Sequence, residues 1–296
     1  MCQACFGVSM ATQGLMDEPY SLVFSLKSRG GVGPDDVRVS LGPDHGRRVH
    51  KDDERVLKSW AEARNTRPEL ACLDGPLFRL AHAGCAEEAS PVSLGLGVTS
   101  FDEYMISNRE DAMRRGVLTR DGERDHNDHD AYLSNAVGCE ALLITSDQKA
   151  ALFWRKGDDL ITPERFASGQ KGRFGGPSGS PDPRRAGVDE ASQGGPDLQA
   201  RAAQELFEAV SRAVVETANI PSEQLESPRL IGCLKDSRYS KPELLFVVRS
   251  SLDAAAVRAR YAEKLGESGE DNLDFWPLDT MEACPLPLAC TIRAAV

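Results

Sequence analysis

Between Gln204 and Pro221 the apolar residues Leu206, Phe207, Val210, Ala213 and Val214, with Thr217, recur at spacings of three and four. That is the period of a buried helical stripe. Glu205, Glu208, Arg212 and Glu216 recur on the same spacing as a separate polar stripe. The pattern predicts one helix. Asn219 stands where a left-handed C-cap is wanted, and Pro221 prevents continuation. Carboxylates along one helix edge suit either a solvated face laced with Glu–Arg pairs or a platform for a metal ion. Periodicity alone favours the solvated face.

The rest of the chain alternates short apolar runs with turn chemistry. Strands are expected at Ser21–Lys27, Asp36–Ser40, Leu77–Leu80 and Ser93–Val98, and a helix is expected from Asp52 or Asp53 with Val56, Leu57 and Trp60 inward. Gly30-Gly31-Val32-Gly33-Pro34 breaks the chain but lacks the lysine and hydroxyl that end a phosphate loop. Arg120–Asp130, which carries His126 and His129 among acids, reads as a solvated loop. CEALLIT and AALFWRK flank Ser146–Lys149 as a hairpin, with a domain boundary near Ala136. The Gly/Pro/Ser-rich part near 177–197 reads as a flexible insertion. Strands follow at Arg229–Lys235 and Glu243–Ser250, a helix at Leu252–Lys264 and a strand at LDFWPL. CPLPLACTI is expected to close the chain as a strand broken by prolines. The division is thus a loose leader over 1–18, an α+β extension over 19–135 and an α/β domain over 136–296.

Composition narrows the function. The 296 residues are 41% hydrophobic, which is enough for a proper core, and carry a net charge of −11. An acidic protein is a poor general binder of nucleic acid or of acidic membranes, although a small basic pocket for a phosphorylated ligand is compatible with that charge. Eight scattered cysteines give no disulfide framework. Cys2 and Cys5 form one CxxC without a second pair for zinc, so free thiols are expected. No apolar run is long enough to span a bilayer and no secretory signal is visible, so a cytoplasmic setting is expected. Nothing points to a protein partner.

The helix resembles a worn Nudix box, whose core reads R-E-U-x-E-E-x-G-U with U a bulky apolar residue. Arg212, Val214, Glu216, Asn219 and Ile220 take the R, U, first paired E, G and final U places, while Ala213 and Thr217 replace two glutamates. An earlier register, Gln204-Glu205-Leu206-Phe207-Glu208, also resembles R-E-U-x-E, but no helix end follows it. From about Leu22 onward the chain is similar to the UDP-sugar diphosphatase branch of that superfamily. The shared pieces are Phe78-Arg79, Gly97-Val98-Thr99-Ser100-Phe101 with Asn108, Gly175-Gly176 with Pro181-Asp182-Pro183, Glu205-Leu206-Phe207 and Glu270-Asp271-Asn272.

The resemblance implies a Nudix-type α/β/α sandwich with a mixed sheet behind a smaller N-terminal α+β domain. It implies Mg²⁺-dependent cleavage of UDP-glucose or UDP-galactose to UMP and a sugar 1-phosphate. Glu216 and Glu205 are then the metal-ligand candidates, and Glu216 and Glu270 the catalytic ones. Arg79, Thr99, Phe101, Asn108, Arg155, Gly175 and Gly176 are the candidates for contacts to uridine, sugar or phosphate. Arg79 and Phe101 suit structural roles equally well. Glu205 and Glu216 lie roughly 16 Å apart along a continuous helix, too far to grip one ion together. The other reading that the worn box implies is a binding module or pseudoenzyme that keeps the pocket and has lost turnover.

Overall fold

Strand β1 (Tyr20–Ser25), from the N-terminal part of the chain, pairs antiparallel with β9 (Arg229–Asp236), so the extension and the later domain share a sheet. The computed structural model describes residues 20–26, 30–66, 75–85, 91–110, 112–155, 173–189, 195–237, 239–266, 272–286 and 290–295.

The larger sheet runs β1–β9–β10–β5–β6–β11, with β10 at Pro242–Arg249, β5 at Gly138–Ile144, β6 at Lys149–Arg155 and β11 at Leu273–Pro277. It is mixed, because β10 and β5 are parallel while the other pairs on this path are antiparallel. Two short strands attach to it: β7 (Arg173–Gly175) to β6 and β8 (Ser178–Gly179) to β5. A smaller sheet has the order β2 (Val37–Leu41), β4 (Val92–Ser100), β3 (Pro76–Gly84). The hairpin between β5 and β6 turns at Gln148, whose φ of 58° is left-handed.

The helix with the two stripes, α5 (Pro196–Ala218), lies between the two sheets. Leu206, Phe207, Val210 and Val214 join one core with Val37 and Val39 of β2 and with Cys139, Ala141, Phe153 and Phe246 of the large sheet. Phe207 meets Phe246 edge to face at 5.1 Å. Pro196 opens the helix, where its missing N–H is harmless, and Asn219 closes it with φ 57°. Helix α6 (Ala254–Leu265) packs on the same face through Val257, its first turn capped by Asp253, which accepts the Ala256 N–H at 2.8 Å. The opposite face carries Leu142, Ile144, Leu152 and Leu245, covered by Met281 and by Ile292 and Ala294 of a terminal helix, α7 (Cys290–Ala295). Helices on both faces of a mixed sheet make the expected α/β sandwich.

Four expectations change. Arg120–Asp130 is helical as far as His126, within α3 (Ala112–His126), which buries only Leu118, Asp121 and Gly122 and so lacked a readable stripe. The core stripe of α1 (Asp53–Asn65) is narrower than expected, because Leu57 is exposed. Pro183–Ala186, inside the expected flexible insertion, is a helical turn, α4, capped by Asp182 and ended by Gly187 at φ 74°, with Ala186 and Val188 buried. The expected terminal strand ends as α7, since the free sheet face it covers takes a helix. Cys2 and Cys5 lie outside the described residues.

Candidate functional site

The double glycine lies where β7 hands over to β8. Gly175 pairs with Phe153 of β6, and the Gly176 N–H donates to Glu140 Oε1 at 2.8 Å. A side chain at 176 has no room, because its Cβ would overlap the carbonyl oxygen of Ala141. The chain then runs along β5, where the Ala141 N–H donates to the Pro177 carbonyl at 2.9 Å, and on to α5, where Gly179 faces Ala209 and Ala213.

Glu205 holds the far end of this loop. Its Oε1 accepts the Asp182 N–H at 2.9 Å and an ion-paired hydrogen bond from Arg212. Its Oε2 is buried without a hydrogen-bond partner among the described residues. The polar stripe of α5 therefore does not face water along its whole length: Glu205 is 2% exposed under the loop, while Glu208 and Glu216 are exposed. Asp182 in turn accepts from the Arg184 backbone N–H and guanidinium, and that pairing holds its carboxyl below the usual carboxylate range.

Glu216 sits at the C-terminal end of α5 with its side chain in solvent, and its backbone carbonyl accepts from Lys264 of α6. Helix α5 is unbroken between Glu205 and Glu216, so the two carboxylates stay apart. Ala213 is buried and Thr217 half-buried. Glu270 lies outside the described residues, as does the side chain of Arg155, the last residue of β6.

The candidate binding residues of the N-terminal part occupy a different place. Arg79 is buried and donates to three backbone carbonyls, Leu133 at 3.1 Å, His45 at 2.8 Å and Asp130 at 2.8 Å. The Thr99 hydroxyl lies between Ser134 at 2.7 Å and Glu103 at 2.8 Å. Asn108 is fully buried. Its amide donates to Asn135 Oδ1 at 3.0 Å and to the Tyr239 carbonyl at 2.9 Å, and it accepts the Asn135 N–H at 2.8 Å. Phe101 opens α2 (Phe101–Ile106) against Trp60 and Tyr104. Arg79, Thr99 and Asn108 grip the segment 130–135, which leads from α3 into β5. The structure thus brings Gly175, Gly176 and Glu205 together, gathers Arg79, Thr99 and Asn108 around a separate joint, and leaves Glu216 at the outer end of α5.

Sequence reasoning missed Glu140. The signal was a lone glutamate inside an otherwise apolar strand, CEALLIT, and a buried carboxylate there needs a donor. Among the described residues no three His, Cys, Asp or Glu side chains group as ligands for a metal ion. Magnesium keeps several waters and uses one or two carboxylates plus substrate phosphates. Glu216 is exposed and joins no ion pair among the described residues, whereas Glu205 already serves Asp182 and Arg212. No helix among the described residues is long and apolar enough to cross a membrane.

No protein-family model matches the chain. Curated proteins do. The chain is 28% identical over 253 residues, 83% of this chain and 77% of the relative, to the mouse (Mus musculus) uridine diphosphate glucose pyrophosphatase NUDT22. The human (Homo sapiens) protein of that name is 28% identical over 270 residues, covering 88% and 84%. Nudix hydrolase 9 of Arabidopsis thaliana is 25% identical over 276 residues, covering 88% and 82%. A solved Nudix hydrolase from M. smegmatis aligns at a TM-score of 0.29 with 14% identity over 54% of this chain and 78% of that one, too loosely to bear on the fold. The resemblance to the Nudix UDP-sugar diphosphatase-like branch is borne out over most of the chain.

Proposed function

We infer that this chain is a Nudix-type hydrolase that cleaves the pyrophosphate bond of a nucleotide sugar, UDP-glucose or UDP-galactose, with Mg²⁺, releasing UMP and a sugar 1-phosphate. The curated relatives support the substrate class through their names. The observation that carries the site is the double-glycine loop, fastened at one end to Glu140 and at the other to Glu205 of the box helix.

A pyrophosphate repels any nucleophile by its charge, and a bound divalent ion would neutralise that charge and acidify a water. In this reading Glu216 provides the protein's carboxylate for that ion, since it is accessible and in no ion pair among the described residues. Glu270 is proposed as the base that takes the water's proton. Glu205 and Glu140 hold the loop rather than the ion. Gly175 and Gly176 would offer their backbone to a phosphate, with Gly176 held close to β5 where a Cβ would strike the Ala141 carbonyl.

A second reading, a nucleotide-sugar-binding module with little or no turnover, draws on the missing carboxylates at Ala213 and Thr217 and on the absence of a three-ligand group among the described residues. Incubation with a panel of nucleotide sugars and Mg²⁺ separates the two. The hydrolase releases UMP, and Glu216→Gln slows it at least about tenfold, ~1.4 kcal/mol of barrier, with thermal stability unchanged because the side chain is exposed. UDP-sugar affinity without product over hours establishes the binding module. Full turnover in Glu216→Gln removes Glu216 from the site.

A further inference from the structure

The sheet face opposite α5 contains a cleft of about 300 Å³ that the hydrolytic reading does not use. That is at the lower end of the size of small-molecule pockets. Its floor is aliphatic: Leu142 and Ile144 of β5, Val247 of β10 and Ile231 of β9. Two arginines stand on its rim. Arg229 pairs in register with Val247, and Arg249 follows two residues later on the same strand, so both side chains project from the same face as diagonal neighbours.

Neither cation is ion-paired to a carboxylate among the described residues, although acids outnumber bases 46 to 35 in this chain. Arg229 Nε donates to the Gly30 carbonyl at 3.0 Å, and a second guanidinium nitrogen donates to that of Gly31. Both glycines hold left-handed φ values, 64° and 80°, and so present those carbonyls. Arg229 is thus oriented by neutral carbonyls rather than by an ion pair with a described carboxylate. Among the described residues the Arg249 guanidinium reaches Gln148 Oε1, at 3.5 Å. Two neighbouring like charges repel, and an anion between them relieves that repulsion.

We propose that this cleft is a second ligand site, for a nucleoside monophosphate. The phosphate dianion meets the two guanidiniums, whose planar forks suit phosphate oxygens. The base lies on the aliphatic floor. Glu226 and Ser227, also on the lining, face the ribose hydroxyls as acceptor and hydroxyl partner. A fatty acid would fill the floor but would leave one arginine and those two polar groups without a role. The site connects to the glycine loop through α7: Ala295 lines the cleft, and Ile292, nearly one turn earlier, has its Cδ1 3.3 Å from where a Cβ on Gly176 would lie.

The test is hydrogen-exchange mass spectrometry and calorimetry on the full chain with UMP, uridine, inorganic phosphate and decanoate as separate probes. Expected are protection by UMP over 226–231 and 245–249, and at least tenfold weaker UMP binding at this site in Arg249→Gln and in Arg229→Gln/Arg249→Gln, falling also with added salt. Arg249→Gln alone guards against misfolding, because Arg249 supports no backbone. Basal release of UMP from UDP-glucose stays unchanged in both variants. If the chain proves not to be a hydrolase, the exchange and binding measurements still decide this site. No protection over 226–249, or unaltered binding in both variants, overturns the proposal. Tighter binding of decanoate than UMP, or equal binding of uridine or phosphate alone, overturns the ligand class.

Discussion

The Gly176 amide and the Glu140 carboxylate meet at 2.8 Å beneath the loop that leads to α5, joining a turn of glycine and proline to the middle of the large sheet. Glu140 is a charged group among residues that otherwise bury apolar side chains, and this bond justifies its place there.

Three substitutions probe this joint. Gly176→Ala drives a methyl into the Ala141 carbonyl, so the loop must lift from β5. Overpacking of this kind costs about 1–3 kcal/mol, and nucleotide-sugar binding or turnover should fall with it. Glu140→Gln retains an oxygen for the Gly176 N–H and should cost less than Glu140→Ala, which removes that acceptor at about 1–3 kcal/mol. Thermal denaturation of the three variants checks the order. Equal melting temperatures for Gln and Ala at 140 would mean that the bond contributes nothing.

Asn108 offers a test between binding and structure. Its amide is fully buried and holds Asn135, which itself sits at φ 45°, and the Tyr239 carbonyl across a sequence gap of more than one hundred residues. Asn108→Ala removes all these bonds at once, and a loss of about 2–4 kcal/mol is expected for several unsatisfied buried groups. A direct substrate contact would instead raise KM with the melting temperature preserved. Differential scanning calorimetry beside steady-state kinetics on the same variant distinguishes them.

The strands and helices of the C-terminal half were legible because their patterns match single periods: RLIGCLK and ELLFVVRS as sheet, and the stripe from Leu206 to Val214 as helix, with Asn219 as its left-handed cap. Helix α3 was not legible, since Val117 and Leu118 are the sole apolar side chains from Arg114 to His126 and three buried positions make no period. The terminal helix failed for the opposite reason: a short apolar run serves strand or helix equally, and only the uncovered sheet face decides. In the site, Gly175-Gly176 and Glu205 were visible as motifs. The role of Glu205 was not, because helical spacing places it in line with Glu208 and Glu216, and burial comes from a loop some twenty residues earlier. Arg79 was visible as a conspicuous cation, but its three carbonyl acceptors come from segments that no sequence pattern connects to it.

Ala213 stands at a place where the resembled box carries a ligand glutamate, and restoring the acid looks like a repair. The packing argues otherwise. Ala213 is buried, and its methyl lies 3.3 Å from where a Cβ on Gly179 would be. Ala213→Glu places a longer, charged side chain against a loop with no described cation aimed at it. Burying an unpaired carboxylate costs several kcal/mol or raises its pKa until it is neutral. The expected outcome is a lower melting temperature and no gain in turnover at any Mg²⁺ concentration. Thr217→Glu, at a half-buried position, should be tolerated better. A hyperactive, stable Ala213→Glu would show that the loop opens readily from α5.

Acid stability should carry the mark of Asp147. Its carboxylate accepts the Thr145 hydroxyl at 2.6 Å, takes Lys149 as an ion pair at 2.9 Å and accepts the Ala254 N–H at 3.0 Å, tying the β5–β6 turn to the start of α6. The Thr145 hydrogen bond, then the Lys149 contact, hold its carboxyl well below the ordinary carboxylate value. A group whose folded pKa is depressed stabilises the native state above its unfolded pKa and ceases to do so as pH falls through the folded value. Asp147→Asn keeps an oxygen for Thr145 and Ala254 but not the charge, and it removes this titration. The melting-temperature gap between wild type and variant should therefore be constant at neutral pH, begin to narrow below about pH 4, the unfolded aspartate value, and shrink further under stronger acid. Melting curves at a series of pH values, at constant ionic strength, measure it. A gap that stays the same under strong acid would assign the loss to shape rather than to charge.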